Sequence, residues 1–172
     1  IAFGFFEEDV KYLFQQAELE LNLEEVKSWY NGYKCGDLEG IYNPWSILNC
    51  ISEQGALGPY WIKTGNDDML RGMFIRAGLE TKEEIQDLLS GKRIRSVIDD
   101  FISFDQIKEG REELIWSALW ALGYLKVVSS KSSGSLRECE LMIPNWEVEC
   151  SYREVFLGFF RSIQGSKKYY HA

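Results

Sequence analysis

The sequence has little of several residue types on which metal and catalytic sites depend. It contains one histidine, three prolines and four cysteines among 172 residues. Cys35, Cys50, Cys139 and Cys150 show no C-x-x-C spacing, and His171 lies next to the C-terminal residue. This pattern disfavours a zinc site, so we expect scattered free thiols in a reducing compartment, which we take to be the cytoplasm.

Long apolar runs and an excess of basic charge are also lacking. No apolar run reaches membrane-spanning length and no signal peptide precedes Ile1, so we expect no membrane partner. Since Ile1 stands where a Met is expected, we interpret the chain as a piece of a longer protein. The net charge of −8 disfavours a general nucleic-acid-binding protein, although it leaves room for a local basic patch.

Two motifs of phosphate chemistry are missing as well. No stretch has the form G-x-x-x-x-G-K-[ST], which binds the phosphates in many NTPases. Glu25-x-Lys27 matches part of a PD-(D/E)XK nuclease motif, but it lies on a predicted amphipathic helix, where such pairs form a solvated face. We therefore predict no catalytic residue, no metal site and no enzymatic activity for this chain alone.

What the sequence does have is ample apolar and aromatic residues, at 45% and 15%, with 27% charged. These fractions are typical of a folded domain. In the first half, apolar residues recur at helical spacing, Asn43-Pro44 is a strong helix start, and Thr81-x-x-Glu84 reads as a capping box. The predicted helices are 7–21, 24–30, 44–53, one capped by Asn66, and 81–89.

The pattern changes after Gly91. A short alternating stretch, 92–98, predicts a strand, and helices are predicted at 112–122 and 148–163. Two extended runs flank the polar loop SSKSSGSLR and predict a β-hairpin. We therefore expect a mainly α fold with a small β-hairpin, in two lobes. They are a helical lobe at 1–91 and a winged-helix-like lobe at 92–166, followed by a tail at 167–172.

Several ordered motifs also carry a family resemblance. They are Asn31-Gly32-Tyr33, Tyr42-Asn43-Pro44-Trp45-Ser46, Pro59-Tyr60-Trp61, Gly123-Tyr124-Leu125 and Ile143-Pro144-Asn145. With them the chain resembles the predicted AAA-ATPase-like family, in which an NTPase module is commonly fused to a PD-(D/E)XK nuclease-like domain. The resemblance runs from about Phe3 to about Phe159 and matches the region between the NTPase core and the nuclease.

This resemblance implies a role for the first lobe as a helical lid. The lid would close over ATP bound by the parent protein, so this chain alone would hold no cofactor. Its partners would be the NTPase core and the nuclease-like domain of the parent chain. The candidate nucleotide contacts are Asn31, Gly32, Tyr33, Pro44 and Trp45. The alternative is that this turn only connects two helices and that its aromatic residues fill the core of the lobe.

Basic residues in the second lobe suggest a different function. A winged helix with flexible cations at its wing would bind the phosphate backbone of a nucleic acid. The candidates are Lys92, Arg93, Arg95, Lys126, Lys131 and Arg137. The alternative is a solvated polar edge that discourages strand-to-strand aggregation. A third class is a protein-interaction module that exposes aromatic residues around Trp45, Tyr60 and Trp61 or along the last helix.

Overall fold

The computed structural model describes residues 4–61, 67–134 and 136–169. In these residues helices predominate, but two small antiparallel sheets make the fold a mixed α/β one, where the sequence predicts a mainly α fold with one hairpin. The helices are α1 (Glu7–Gln16), α2 (Leu23–Tyr30), α3 (Pro44–Ser52), α4 (Asp67–Arg76), α5 (Leu79–Leu89), α6 (Phe104–Glu109), α7 (Ile115–Ala121) and α8 (Trp146–Tyr169). The strands are β1 (Tyr33–Cys35), β2 (Leu38–Ile41), β3 (Ile94–Asp99), β4 (Lys126–Ser133) and β5 (Leu136–Met142).

Local capping signals account for the first three helices. The Asn43 side chain accepts hydrogen bonds from the backbone of Trp45 and Ser46, which confirms the predicted start of α3. Helix α1 ends at Gln16, five residues before the end predicted from the sequence. The reason is local, because Glu18 adopts a left-handed backbone with φ of 55° that a continuing helix does not allow.

The first sheet is a hairpin that the sequence analysis interpreted as a glycine-rich loop. Strand β1 pairs antiparallel with β2, and the turn between them contains Gly36 at φ of 60°. Both strands are short and mostly exposed, so they lack the alternation of buried and exposed residues that reveals a strand. The hairpin extends the turn that follows α2 and places Tyr33 beside the second sheet.

The second sheet has the strand order β3-β5-β4, all antiparallel. The hairpin β4–β5 and the strand β3 are confirmed, and β4 runs four residues further than the predicted run that ended at Ser129. The prediction of a capping box at Thr81 is wrong, because α5 already begins at Leu79. Its N-terminal end is instead capped by the carboxylate of Glu112, which accepts from the Gly78 N–H at 2.6 Å.

The buried residues form two cores. One is built by α1, α2, α3 and Tyr42, and the other by α4, α5, α7, the second sheet and α8. The sequence predicts α4 and α5 as parts of the first lobe. In the structure their buried side chains, such as Phe74 and Ile85, lie in the second core. The domain limits themselves stay a prediction.

A close backbone approach connects the two cores. Gly32 has a φ of +103°, and a Cβ atom added there would lie 2.3 Å from the carbonyl oxygen of Pro144. Only glycine satisfies both the backbone angle and this spacing. The segment after α2 is therefore held against the segment before α8 at atomic contact.

Gly32→Ala is expected to destabilise the protein by about 3 kcal/mol or more, since it combines an unfavourable φ with a steric clash. Gly36→Ala is the matched control, because Gly36 also has a positive φ but no atom within 4 Å of the added Cβ. We expect it to cost only about 1 kcal/mol. Urea denaturation measures both values, and equal losses would contradict the close approach.

Candidate functional site

Four of the five motifs that carry the family resemblance contribute residues to one cluster where the two cores meet, and the fifth lies beside it at Gly123. Residues far apart in sequence are brought there into direct contact through hydrogen bonds and close packing. We call this cluster the junction. It consists of Asn31, Gly32, Ser46, Trp61, Pro144, Asn145 and Glu147.

Asn145 connects the cores through its side-chain amide. Its Nδ2 donates to the backbone oxygen of Asn31 at 2.8 Å, and its Oδ1 accepts from the Val148 N–H at 3.0 Å. The second bond satisfies an unpaired N–H in the first turn of α8. Asn31 in turn donates from its own Nδ2 to the Gly40 carbonyl of the hairpin. The start of α8 is therefore tied to the turn after α2 and through it to β2.

Glu147 is a fully buried carboxyl group at the centre of the junction. Both of its oxygens lie 2.8 Å from the Ser46 hydroxyl, and Oε1 accepts from the Trp61 N–H at 2.7 Å. These donors are neutral, so they compensate only part of the cost of burying a charge. Burial accordingly raises the pKa of Glu147, although the hydrogen bonds from Trp61 and Ser46 oppose the shift.

The five candidate nucleotide contacts divide into two groups. Asn31 and Gly32 make internal contacts of the junction, and they also border a separate cavity of about 330 Å³. Tyr33 and Pro44 line one open cavity of about 400 Å³, which Trp61 also borders. Trp45 follows in the first turn of α3 with 53% of its surface exposed. The second group is therefore free to contact a ligand, and the first group is placed to hold that surface in position.

Tyr33 is the aromatic residue that the hairpin brings between the two cores. Its ring packs against the backbone of Gly123, and burial raises the pKa of its hydroxyl group well above the ordinary value. The hydroxyl has no hydrogen bond of good geometry among the described residues, although the amides of Asn43 and Asn145 lie near it. Tyr33 thus remains protonated and neutral across the physiological pH range.

Most of the basic residues predicted to contact nucleic acid form ion pairs within the protein. Lys126 and Lys131, the two candidates without such a pair, lie on β4, where Lys126 lines a cavity of about 720 Å³ together with Arg137. Surface pairs of this kind are weak, so they do not prevent other contacts, but they lower the net charge of the face. The pairs are Lys92 with Asp87, Arg93 and Arg95 with Glu140, and Arg137 with Asp100.

Sequence reasoning missed Glu147. Its partner Ser46 lies 101 residues away in sequence, and a glutamate in the first turn of a helix is ordinarily explained by the helix dipole. The available signal was its position two residues after Ile143-Pro144-Asn145. No cluster of three or more possible metal ligands occurs in residues 4–61, 67–134 and 136–169, and no helix there is long and apolar enough to span a bilayer.

Comparisons with known proteins add one relative. An uncharacterized protein in the vnfD 5′ region of Azotobacter chroococcum mcd 1 is 26% identical over 156 residues, which is 90% of this chain. The chain spans only 27% of the length of that relative. No protein-family model matches the chain, and no solved structure matches it. Function must therefore be argued from the geometry.

Glu147→Gln is expected to make stability less dependent on pH. The folded protein holds the Glu147 proton more tightly than the unfolded chain, whose ordinary pKa is 4.5. The contribution of this proton to the free energy of unfolding is therefore complete below that pKa, and it is lost as the pH rises through the raised native pKa. The free energy of unfolding should fall by about 1.4 kcal/mol for each unit of the shift in the wild type, and less in the variant.

Urea denaturation from about pH 4 to about pH 8 measures this difference. Ser46→Ala is the companion variant, because it removes a hydrogen bond that lowers the pKa of Glu147. Its stability should fall more steeply with pH than that of the wild type. Parallel pH profiles for the wild type and Glu147→Gln would show that Glu147 does not titrate differently on folding.

Proposed function

We propose that this chain is the non-catalytic lid and winged-helix part of an AAA-ATPase-like protein. It closes over a nucleotide bound by a separate NTPase core and transmits the nucleotide state to whatever follows α8. The observation that carries the proposal is the junction. There the turn that bears the candidate nucleotide contacts is hydrogen-bonded directly to the first turn of α8, through Asn31 and Asn145.

The surface beside the junction has the chemistry that a purine base requires. Tyr33 and Pro44 line an open cavity, and Trp45 exposes about half of its surface one residue further along. A flat, apolar ring system gains stacking energy on aromatic side chains and proline. Asn43 fixes the backbone at this point by capping α3, so the aromatic surface is presented from a rigid element.

The second lobe fits the winged-helix part of the proposal. Its elements follow the order β3, α6, α7, β4, β5, and β3 pairs with β5 on the side opposite to β4. This order, with a helix pair between the first strand and a terminal hairpin, resembles that of a winged helix and supports this part of the proposal. Helix α8 then continues from the hairpin and packs on α4 and α5, so it leads from the junction along the second core.

The junction also provides the physical route for transmission. A lid transmits a nucleotide state only when its own contacts differ between the two states. A shift of the turn at Asn31 would act on α8 through two rigid contacts, the Asn145 amide and the Pro144 carbonyl. The Glu147 carboxyl group adds a further link, between α8 and α3. Because these groups are buried and closely packed, displacement on one side requires displacement on the other.

The competing nucleic-acid function has less support from the charges. Four of the six basic candidates are paired with carboxylates, and the chain as a whole carries a charge of −8. A surface with this charge balance releases few counterions from a phosphate backbone. The nucleotide-lid proposal needs no such excess of positive charge, because the phosphates would be held by the separate core.

Trp45→Ala tests the proposal in the longer parent protein. Since the nucleotide would be held mainly by the core, ATP and ADP should bind to the parent protein and not to the 172-residue chain alone. Loss of one stacking contact should weaken nucleotide binding about threefold to tenfold in the parent protein. Isothermal titration calorimetry measures both proteins under the same conditions.

Phe101→Ala is the matched control, because Phe101 is also an exposed aromatic residue, at 80%, but follows β3 in the second core. Its affinity for nucleotide should equal that of the wild-type parent. Equal affinities for the wild type and Trp45→Ala would remove the aromatic turn from the nucleotide site. Absence of nucleotide binding by the parent protein would overturn the lid function itself.

A further inference from the structure

A groove of about 720 Å³ lies between the first hairpin and the second sheet. Tyr33 and Gly36 border it on the hairpin side, and Trp120 and Gly123 border it at the end of α7. The rest of its lining comes from β4, from Arg137 on β5, and from Asp100 and Ile102 after β3. The groove is separate from the α3 side of Tyr33, where the proposed nucleotide contacts lie.

The wall formed by β4 is an unpaired strand edge. In the described sheet β4 pairs only with β5, and the first hairpin forms a sheet of its own. The consecutive residues 125–130 all line the groove. Since successive side chains of a strand point to opposite faces, such a continuous series means that the groove follows the edge of the strand. The backbone of β4 therefore offers N–H and C=O groups toward it.

A β-bulge interrupts the regular pairing of β4 with β5. The pairing of β4 with β5 shifts between Val127 and Ser129, and Val128 has no paired residue on β5. Bulges are common at sheet edges and alter the direction of the strand there. A free edge of this kind is the surface to which an extended peptide adds as a further strand.

The charges along the groove favour an acidic ligand. Lys34, Lys126 and Arg137 line it, against the carboxylate of Asp100. Lys34 is also paired with Glu39 at 2.8 Å, which leaves Lys126 as the lining cation with no ion pair among the described residues. This excess of positive charge is local, because the whole chain has a net charge of −8. Arg137 is held by Asp100 at 2.6 Å and lies over the Trp120 ring, yet its buried Nε has no hydrogen-bond partner among the described residues.

We propose that this groove binds an extended acidic peptide segment of a partner protein, which pairs with the outer edge of β4. Carboxylates of the peptide would lie near Lys126 and Arg137, and its apolar side chains would contact Tyr33 and Trp120. A nucleic-acid strand fits the groove less well, because a phosphate backbone has acceptors but no donors to match the carbonyl groups of a strand edge. The proposal does not depend on the nucleotide-lid function.

The test uses a fluorescent probe peptide of about ten residues in which Glu and Val alternate, a pattern that places all carboxylates on one side of a strand. Fluorescence anisotropy with the 172-residue chain should show saturable binding. Lys126→Glu should weaken that binding about tenfold through like-charge repulsion, and Lys126→Ala should weaken it less. Lys131→Glu is the matched control, since Lys131 lies on the same strand but does not line the groove. It should change the affinity less than about twofold.

Hydrogen exchange of the backbone amides distinguishes strand addition from simple charge attraction. With the acidic probe bound, amides within 127–130 should become protected, because they would donate to the added strand. A probe with Lys in place of Glu should not bind. The proposal is overturned by equal binding of the two probes, by an unchanged affinity of Lys126→Glu, or by absence of protection in 127–130. It is also overturned if oligothymidine, and not the acidic probe, binds in a way that depends on Lys126.

Discussion

The buried carboxyl group of Glu147 is the interaction on which the arrangement of the two cores depends. It lies in the first turn of α8, and it is bonded to the Ser46 hydroxyl of α3 and to the backbone of Trp61. A buried carboxyl group is costly unless its oxygens find partners. The Ser46 hydroxyl comes from α3 in the first core, whereas Trp61 packs against the second core. The cost of burial is therefore fully compensated only when the cores are correctly joined.

The neighbouring contacts of the junction also hold the two cores in their relative position. The Asn145 amide and the close approach of Gly32 to Pro144 position the same turn of backbone relative to α8. The motifs that carry the family resemblance thus have a structural role in this chain. The proposed lid would need such a role, because a surface that senses a ligand must be coupled rigidly to the element that responds.

The sequence was most informative where the determining interaction is local. The Asn43 cap of α3 and the β4–β5 hairpin follow from neighbouring residues, and both are confirmed. The predicted start of α5 was wrong because its cap, Glu112, lies 34 residues away in sequence from Gly78. Glu147 was missed for the same reason, since its partner Ser46 is also distant in sequence. Among the candidate nucleotide contacts, the sequence identified the turn but could not separate Asn31 and Gly32, which make the junction contacts, from the residues that line the cavity beside α3.

The most direct measurement of the central claim is native-state hydrogen exchange in increasing urea, followed separately for amides of α3 and of β5. If the junction makes the two cores one cooperative unit, both sets of amides should exchange through the same global opening with the same free energy. In Glu147→Ala the α3 amides should then open at lower urea than those of β5. Separate openings in the wild-type protein, with no change in Glu147→Ala, would contradict the claim that Glu147 joins the cores.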